Sequence, residues 1–108
     1  MSVADILRRA RARIEDPSRW TQGAFARDAK GVDMPASCAS EGVCFCAVGA
    51  IYAEIGDDME AVELWNLLDR AAADLGFHSA PYLNDTADHP AVLRLYDLAI
   101  AKAEGGAP

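Results

Sequence analysis

Apolar residues recur along this chain mainly at helical spacing. In residues 2–16, Val3, Ile6, Leu7, Ala10 and Ile14 share one face of a 3.6-residue period, while the arginines take the other side. Ser2 with Asp5 three places on makes a capping-box-like start, and Pro17 marks the stop. Residues 21–29 read as a short second helix, with Trp20 and Phe25 as its large apolar groups and Gly31 as its left-handed cap. Gly23 weakens that helix by about 1 kcal/mol relative to alanine. Residues 30–42 concentrate Gly, Pro, Ser and Asp without a period and read as a loop.

Residues 43–55 are apolar on nearly every side, the pattern of a buried central helix. Gly49, with Ala47, Ala50 and Ala53, would let a neighbour approach closely, and Gly56 ends the segment. Residues 58–75 form the longest helix, with Asp57 and Glu60 as a capping pair. Its core stripe is Ala61, Leu64, Trp65, Leu68, Ala72 and Leu75, and Gly76 followed by Phe77 suits its end. Residues 77–89 read as a second loop. Residues 90–103 repeat Val92, Leu93, Tyr96, Ala99, Ile100 and Ala103 at helical spacing, with Pro90 in the first turn and Thr86, Asp88 or His89 as cap. The tail, 104–108, is expected to fray. No strand pattern, internal repeat or dividing linker competes. The expected fold is all-α, a compact single-domain bundle of four to five helices over residues 1–108.

Composition agrees with one core: the chain has 108 residues, 52% of them apolar. Charge alters the functional picture more. The net charge of −7 opposes binding to nucleic acid or an anionic membrane surface. It is unevenly spread, because residues 1–30 hold seven of the ten basic groups. Either a basic first helix is neutralised by acidic later ones, or Arg8, Arg9, Arg11 and Arg13 form a patch for an acidic partner. A nucleic-acid role for that patch is opposed by the acidic remainder. The longest uncharged apolar run, residues 43–53, is too short to span a bilayer. Three cysteines, an odd number, and an amphipathic start in place of a signal peptide point to a reducing, cytoplasmic setting.

The stretch Trp20-Thr21-Gln22-Gly23-Ala24-Phe25-Ala26-Arg27-Asp28 resembles the W-x-Q-G-A-x-A-R-D signature of a family of small bacterial and phage proteins of unknown function. Cys46-Ala47-Val48-Gly49-Ala50 is similar to that family's C-A-x-G-A helix, and Asn84-Asp85 to its N-D step. Leu83 stands where the family often has tryptophan. The resemblance runs from about Trp20 to Ile100. It implies a helical domain and brings no reaction, cofactor or partner.

Two groups of residues invite a chemical reading. Cys44 and Cys46, if helical, point about 200° apart and cannot grip one ion together. His78 and His89 are the chain's two imidazoles, so a Cys38, Cys44 and His78 cluster is geometrically open. The expectation is buried thiols, with no metal and no cofactor. The second group is Trp20, Gln22, Arg27, Asp28, Asn84 and Asp85. Arg27 offers a planar fork for a carboxylate or phosphate, with Asp28 or Asp85 as its natural internal partner. This set reads as a half-buried network in which Arg27 ties to Asp85, or as a ligand pocket with Arg27 as anion anchor. A paired-carboxylate mechanism on Asp28 and Asp85 is not demanded by their spacing. No nucleophile elbow, phosphate loop, dinucleotide fingerprint or zincin helix occurs. The first expectation is a non-catalytic module that binds a partner protein or a second copy of itself. The second is a small-molecule-binding domain or enzyme, with a polar pocket around Arg27 and Asp85.

Overall fold

Four of the apolar stripes fold as helices in the computed structural model, which describes residues 2–105. They are α1 (Val3–Ile14), α2 (Ala47–Ile55), α3 (Met59–Asp74) and α5 (His89–Ala103). A fifth, α4 (Ala80–Thr86), forms inside the expected second loop. The result is a mostly helical globule, joined by a small sheet the apolar pattern did not announce.

Caps explain where the helices begin. The Ser2 hydroxyl accepts the Asp5 N–H at 3.1 Å and starts α1. Asp58, not Asp57, caps α3 by accepting the Glu60 N–H, and Asp88 caps α5 by accepting the Ala91 N–H. At the end of α3, Gly76 turns left-handed (φ +93°). Its N–H donates to Ala73 and that of Phe77 to Ala72, the paired bonds of a Schellman stop.

The buried faces follow the stripes closely. Ala4, Ile6, Leu7, Ala10 and Ile14 of α1 pack toward α2 and α5, while Val3, expected among them, is 37% exposed. α3 buries Ala61, Leu64, Leu68 and Ala72 as expected, and adds Ala71. Trp65 stays half-buried and Leu75 is exposed. α5 buries Val92, Leu95, Tyr96 and Ala99. Tyr96 is fully enclosed, and its hydroxyl donates to the Ala47 carbonyl, which meets the need of a buried phenol for a partner. α5 ends at Ala103; of the expected frayed tail, residues 106–108 lie outside the described residues.

Residues 21–46 depart most from expectation. The helix expected over 21–29 is absent. Instead β1 (Ala26–Arg27) lies between β2 (Asp33–Met34) and β3 (Cys44–Phe45), antiparallel to both. Ala26 faces Met34 on one side and Phe45 on the other. Gly31 is left-handed as expected (φ +81°), but it serves the turn between β1 and β2 and does not cap a helix. The Asp28 carboxylate accepts the N–H groups of Lys30 and Val32 and fastens that turn. Residues 30–42, expected as loop, thus contain β2 and a 3-10 helix, Ala36–Glu41. The helix expected from Val43 begins four residues late, because Cys44 and Phe45 are drawn into the sheet. Ala24 and Ala26 suit a helix, but here they and Gly23 allow close packing between backbones. The Phe25 carbonyl lies so near α2 that a Cβ on Gly49 would stand 1.7 Å from its oxygen.

Helix α4 has a start signal of its own, with Ser79 accepting the Tyr82 N–H and Pro81 in the first turn. Seven residues with Ala80, Leu83 and Asn84 buried are too few to display a period.

Candidate functional site

Asn84, on α4, is completely buried and fully hydrogen-bonded. Its Oδ1 accepts the Trp20 indole N–H at 2.7 Å and the Ala47 N–H at 3.0 Å. Its Nδ2 donates to the Thr21 carbonyl at 3.0 Å and to Asp85 Oδ1 at 3.1 Å. Two N–H donors converge on one atom, so that atom must be the amide oxygen. One side chain thereby ties the 20–21 segment, the first turn of α2 and α4 together. Gln22 adds to this, its Nε2 donating to the carbonyls of Asn84 at 2.9 Å and Ala87 at 3.2 Å. Asp85 Oδ1 accepts the Gly23 N–H at 2.9 Å. Trp20, Gln22, Asn84 and Asp85 therefore converge, across more than sixty residues of sequence.

Arg27 touches this group only through the Gln22 carbonyl, and Asp28 does not join it. Arg27 ion-pairs with Asp33, opposite it in the β1–β2 ladder, and not with Asp85 or Asp28. Its Nε donates to Thr21 Oγ1 at 2.9 Å, and its other nitrogens to the carbonyls of Gly31 and Gln22. Four of its five N–H donors are engaged, bracing the hairpin and residues 21–22. Asp28 is occupied by the turn described above, so Asp28 and Asp85 do not form a carboxylate pair.

Beside the network a cleft of about 480 Å³ opens. Its apolar walls include Phe25, Met34, Pro35, Val48, Trp65 and Pro81, and its polar edge is Asp33 and Asp85. The Phe25 and Trp65 rings stand 6.0 Å apart at 79°, with Tyr52 edge-on to both. Of the six residues singled out from sequence, Asp85 alone lines the cleft. The sequence pattern makes Phe25 and Trp65 core aromatics, and Met34 and Pro35 part of a loop. Nothing local marks them as one surface, because they come together only through the hairpin and α3.

The thiols divide by burial. Cys46 caps α2, its Sγ accepting the Gly49 N–H at 3.2 Å. Burial pushes this thiol up to about 11, which keeps it protonated and weakly nucleophilic near neutral pH. Cys38 and Cys44 are half-buried and free. Cys44 lies in β3 and Cys46 caps α2, so the two do not share a helix as expected. Among the described residues no three His, Cys, Asp or Glu side chains are grouped to hold a metal, so Cys38, Cys44 and His78 form no such cluster. His89 Nε2 meets the Ile14 carbonyl at 2.6 Å, and its ring packs 5.4 Å from Trp20.

The basic face of α1 is largely occupied. Arg8 pairs with Glu104, Arg11 with Asp97, and Arg13 with Glu54 of α2. No helix among the described residues is long and apolar enough to cross a membrane.

In a comparison with known families, the family described as "Family of unknown function (DUF6197)" matches residues 1–102. No curated protein and no solved structure matches the chain.

Proposed function

The chain belongs to the DUF6197 family, which has no assigned activity, and we propose that it is a non-catalytic binding module whose cleft receives part of a partner protein. The observation that carries this reading is an apolar cleft of about 480 Å³ standing open beside Asn84, whose own hydrogen-bonding groups are all satisfied. Concave apolar surface with a few fixed polar groups at its edge is the usual form of a binding site. Arg27, the strongest candidate for anion recognition, spends its donors on Thr21, Gln22, Gly31 and Asp33. Cys46 is held as a thiol. The alternative, a small-molecule-binding domain or enzyme around Arg27 and Asp85, draws on Asp85, which network and cleft share. We take the stretch from Trp20 to Asp28 as the family's signature, because it supplies both β1 and one side of the network.

A photo-crosslinking residue in place of Met34, on the cleft wall, tests the reading in the producing cell. The expected result is a discrete adduct from that position and none from the same residue at exposed Arg94, outside the cleft. An adduct of twice the chain mass identifies the partner as a second copy. No adduct at Met34, or equal labelling from both positions, overturns the proposal.

A further inference from the structure

Resting on the cleft reading, we infer that the occupant is a basic side chain of the partner, a lysine or arginine. Its aliphatic stem lies against Phe25, Trp65 and Val48, and its charge sits at Asp85.

The first support is the sign of the lining. Asp33 and Asp85 are its charged members, and no Lys, Arg or His lines the cleft. An anionic ligand meets two carboxylates there, of which only Asp33 has a cationic partner. The two aspartates are not equivalent. Arg27 neutralises Asp33, whereas no ion pair reaches Asp85 among the described residues. Asp85 is instead oriented by two neutral donors, the Gly23 N–H and Asn84 Nδ2, both on Oδ1. Neutral donors fix the carboxylate in place while leaving its charge uncompensated and Oδ2 without a described partner. An oriented, uncompensated acid at the edge of an apolar cleft is matched by a cation.

The second support is the aromatic corner. Phe25 and Trp65 stand nearly perpendicular, so the cleft is bounded by two ring systems of different orientation. Ring faces carry the negative end of the quadrupole and attract ammonium or guanidinium groups. Lysine and arginine also carry the apolar stem that such walls can cover while the charged head reaches the edge. Third, the net charge of −7 draws basic partners toward the molecule at a distance.

The test is an NMR titration of the whole chain with two capped tripeptides, Ala-Lys-Ala and its uncharged counterpart Ala-norleucine-Ala. The lysine peptide is expected to shift the amide signals of Gly23, Phe25 and Asp85 with about tenfold tighter binding than the norleucine peptide. Raising the ionic strength shrinks that advantage. Asp85→Asn keeps an acceptor for the Gly23 N–H, so its melting temperature should change little while the lysine preference disappears. Asp97→Asn, outside the cleft, should retain the preference. Equal binding of the two peptides at the cleft overturns the charge inference and leaves the cleft reading standing. If neither peptide moves those signals, both fall.

Discussion

At the scale of single residues, Asn84 and Gly49 bear the sharpest consequences. Asn84 is the kind of buried polar group that stabilises only when every bond is made. Asn84→Ala strands the buried Ala47 N–H and removes the partner of the half-buried Trp20 indole N–H and Thr21 carbonyl. It should lower stability by about 3 kcal/mol, read from the midpoint of urea unfolding. Gly49 matters for the opposite reason, since its missing side chain admits the Phe25 backbone. Gly49→Ala places a methyl group where that carbonyl lies, so α2 and the Phe25 backbone ahead of β1 must separate. A loss of about 3 kcal/mol is expected, with the change concentrated in the amide signals of residues 24–27. The sequence made Gly49 legible as a point of close approach. It did not reveal which neighbour approaches, because that neighbour lies twenty-four positions away.

At the scale of elements, the instructive case is the start of α2. Apolar content over 43–55 argued for a helix from Val43, yet Cys46 turns out to be the cap and Cys44–Phe45 a strand. Cysteine is an uncommon cap, which is why the boundary was not visible in the pattern. Cys46→Ser should preserve the cap and hold stability within about 1 kcal/mol. Cys46→Ala removes the acceptor for the Gly49 N–H and should lose about 1 kcal/mol, both measured by thermal melting. The thiol also predicts an alkaline response. Its ordinary value is 9.0 and burial raises it to about 11, so the folded chain holds the proton longer than the unfolded one. That contribution is intact below pH 9.0 and is lost as pH rises from 9.0 through about 11. Buried Tyr96 shifts in the same direction. Melting temperature should therefore fall over this range, and Cys46→Ser should soften the early part of the fall. An unchanged profile in that variant would assign the whole response to Tyr96 or to other groups.

At the scale of the whole molecule, ion pairs join the basic first helix to the acidic remainder. Arg13 is the most embedded of these links, pairing with Glu54 of α2 while its guanidinium lies 5.3 Å from the centre of the Phe45 ring. Arg13→Ala should lower stability by about 1 kcal/mol, more than Arg8→Ala on the more exposed pair with Glu104, in parallel urea titrations. The uneven charge along the chain made such neutralisation readable in advance, because like-signed blocks in one small globule must face each other or solvent. The sequence by itself determined the four long amphipathic or apolar helices and most of their buried faces, since helical periodicity, caps and glycine stops are local properties. It also brought Trp20, Gln22, Arg27, Asp28, Asn84 and Asp85 forward as one set, of which Arg27 and Asp28 serve the hairpin instead. Tertiary structure alone decided that residues 21–29 are extended, since β1 exists only by bonding to β2 and β3. It alone turned Arg27 to Asp33 and assembled the cleft from five separate segments. Strand pairing and concave surface are relations between distant parts of a chain, and a single sequence records them only indirectly.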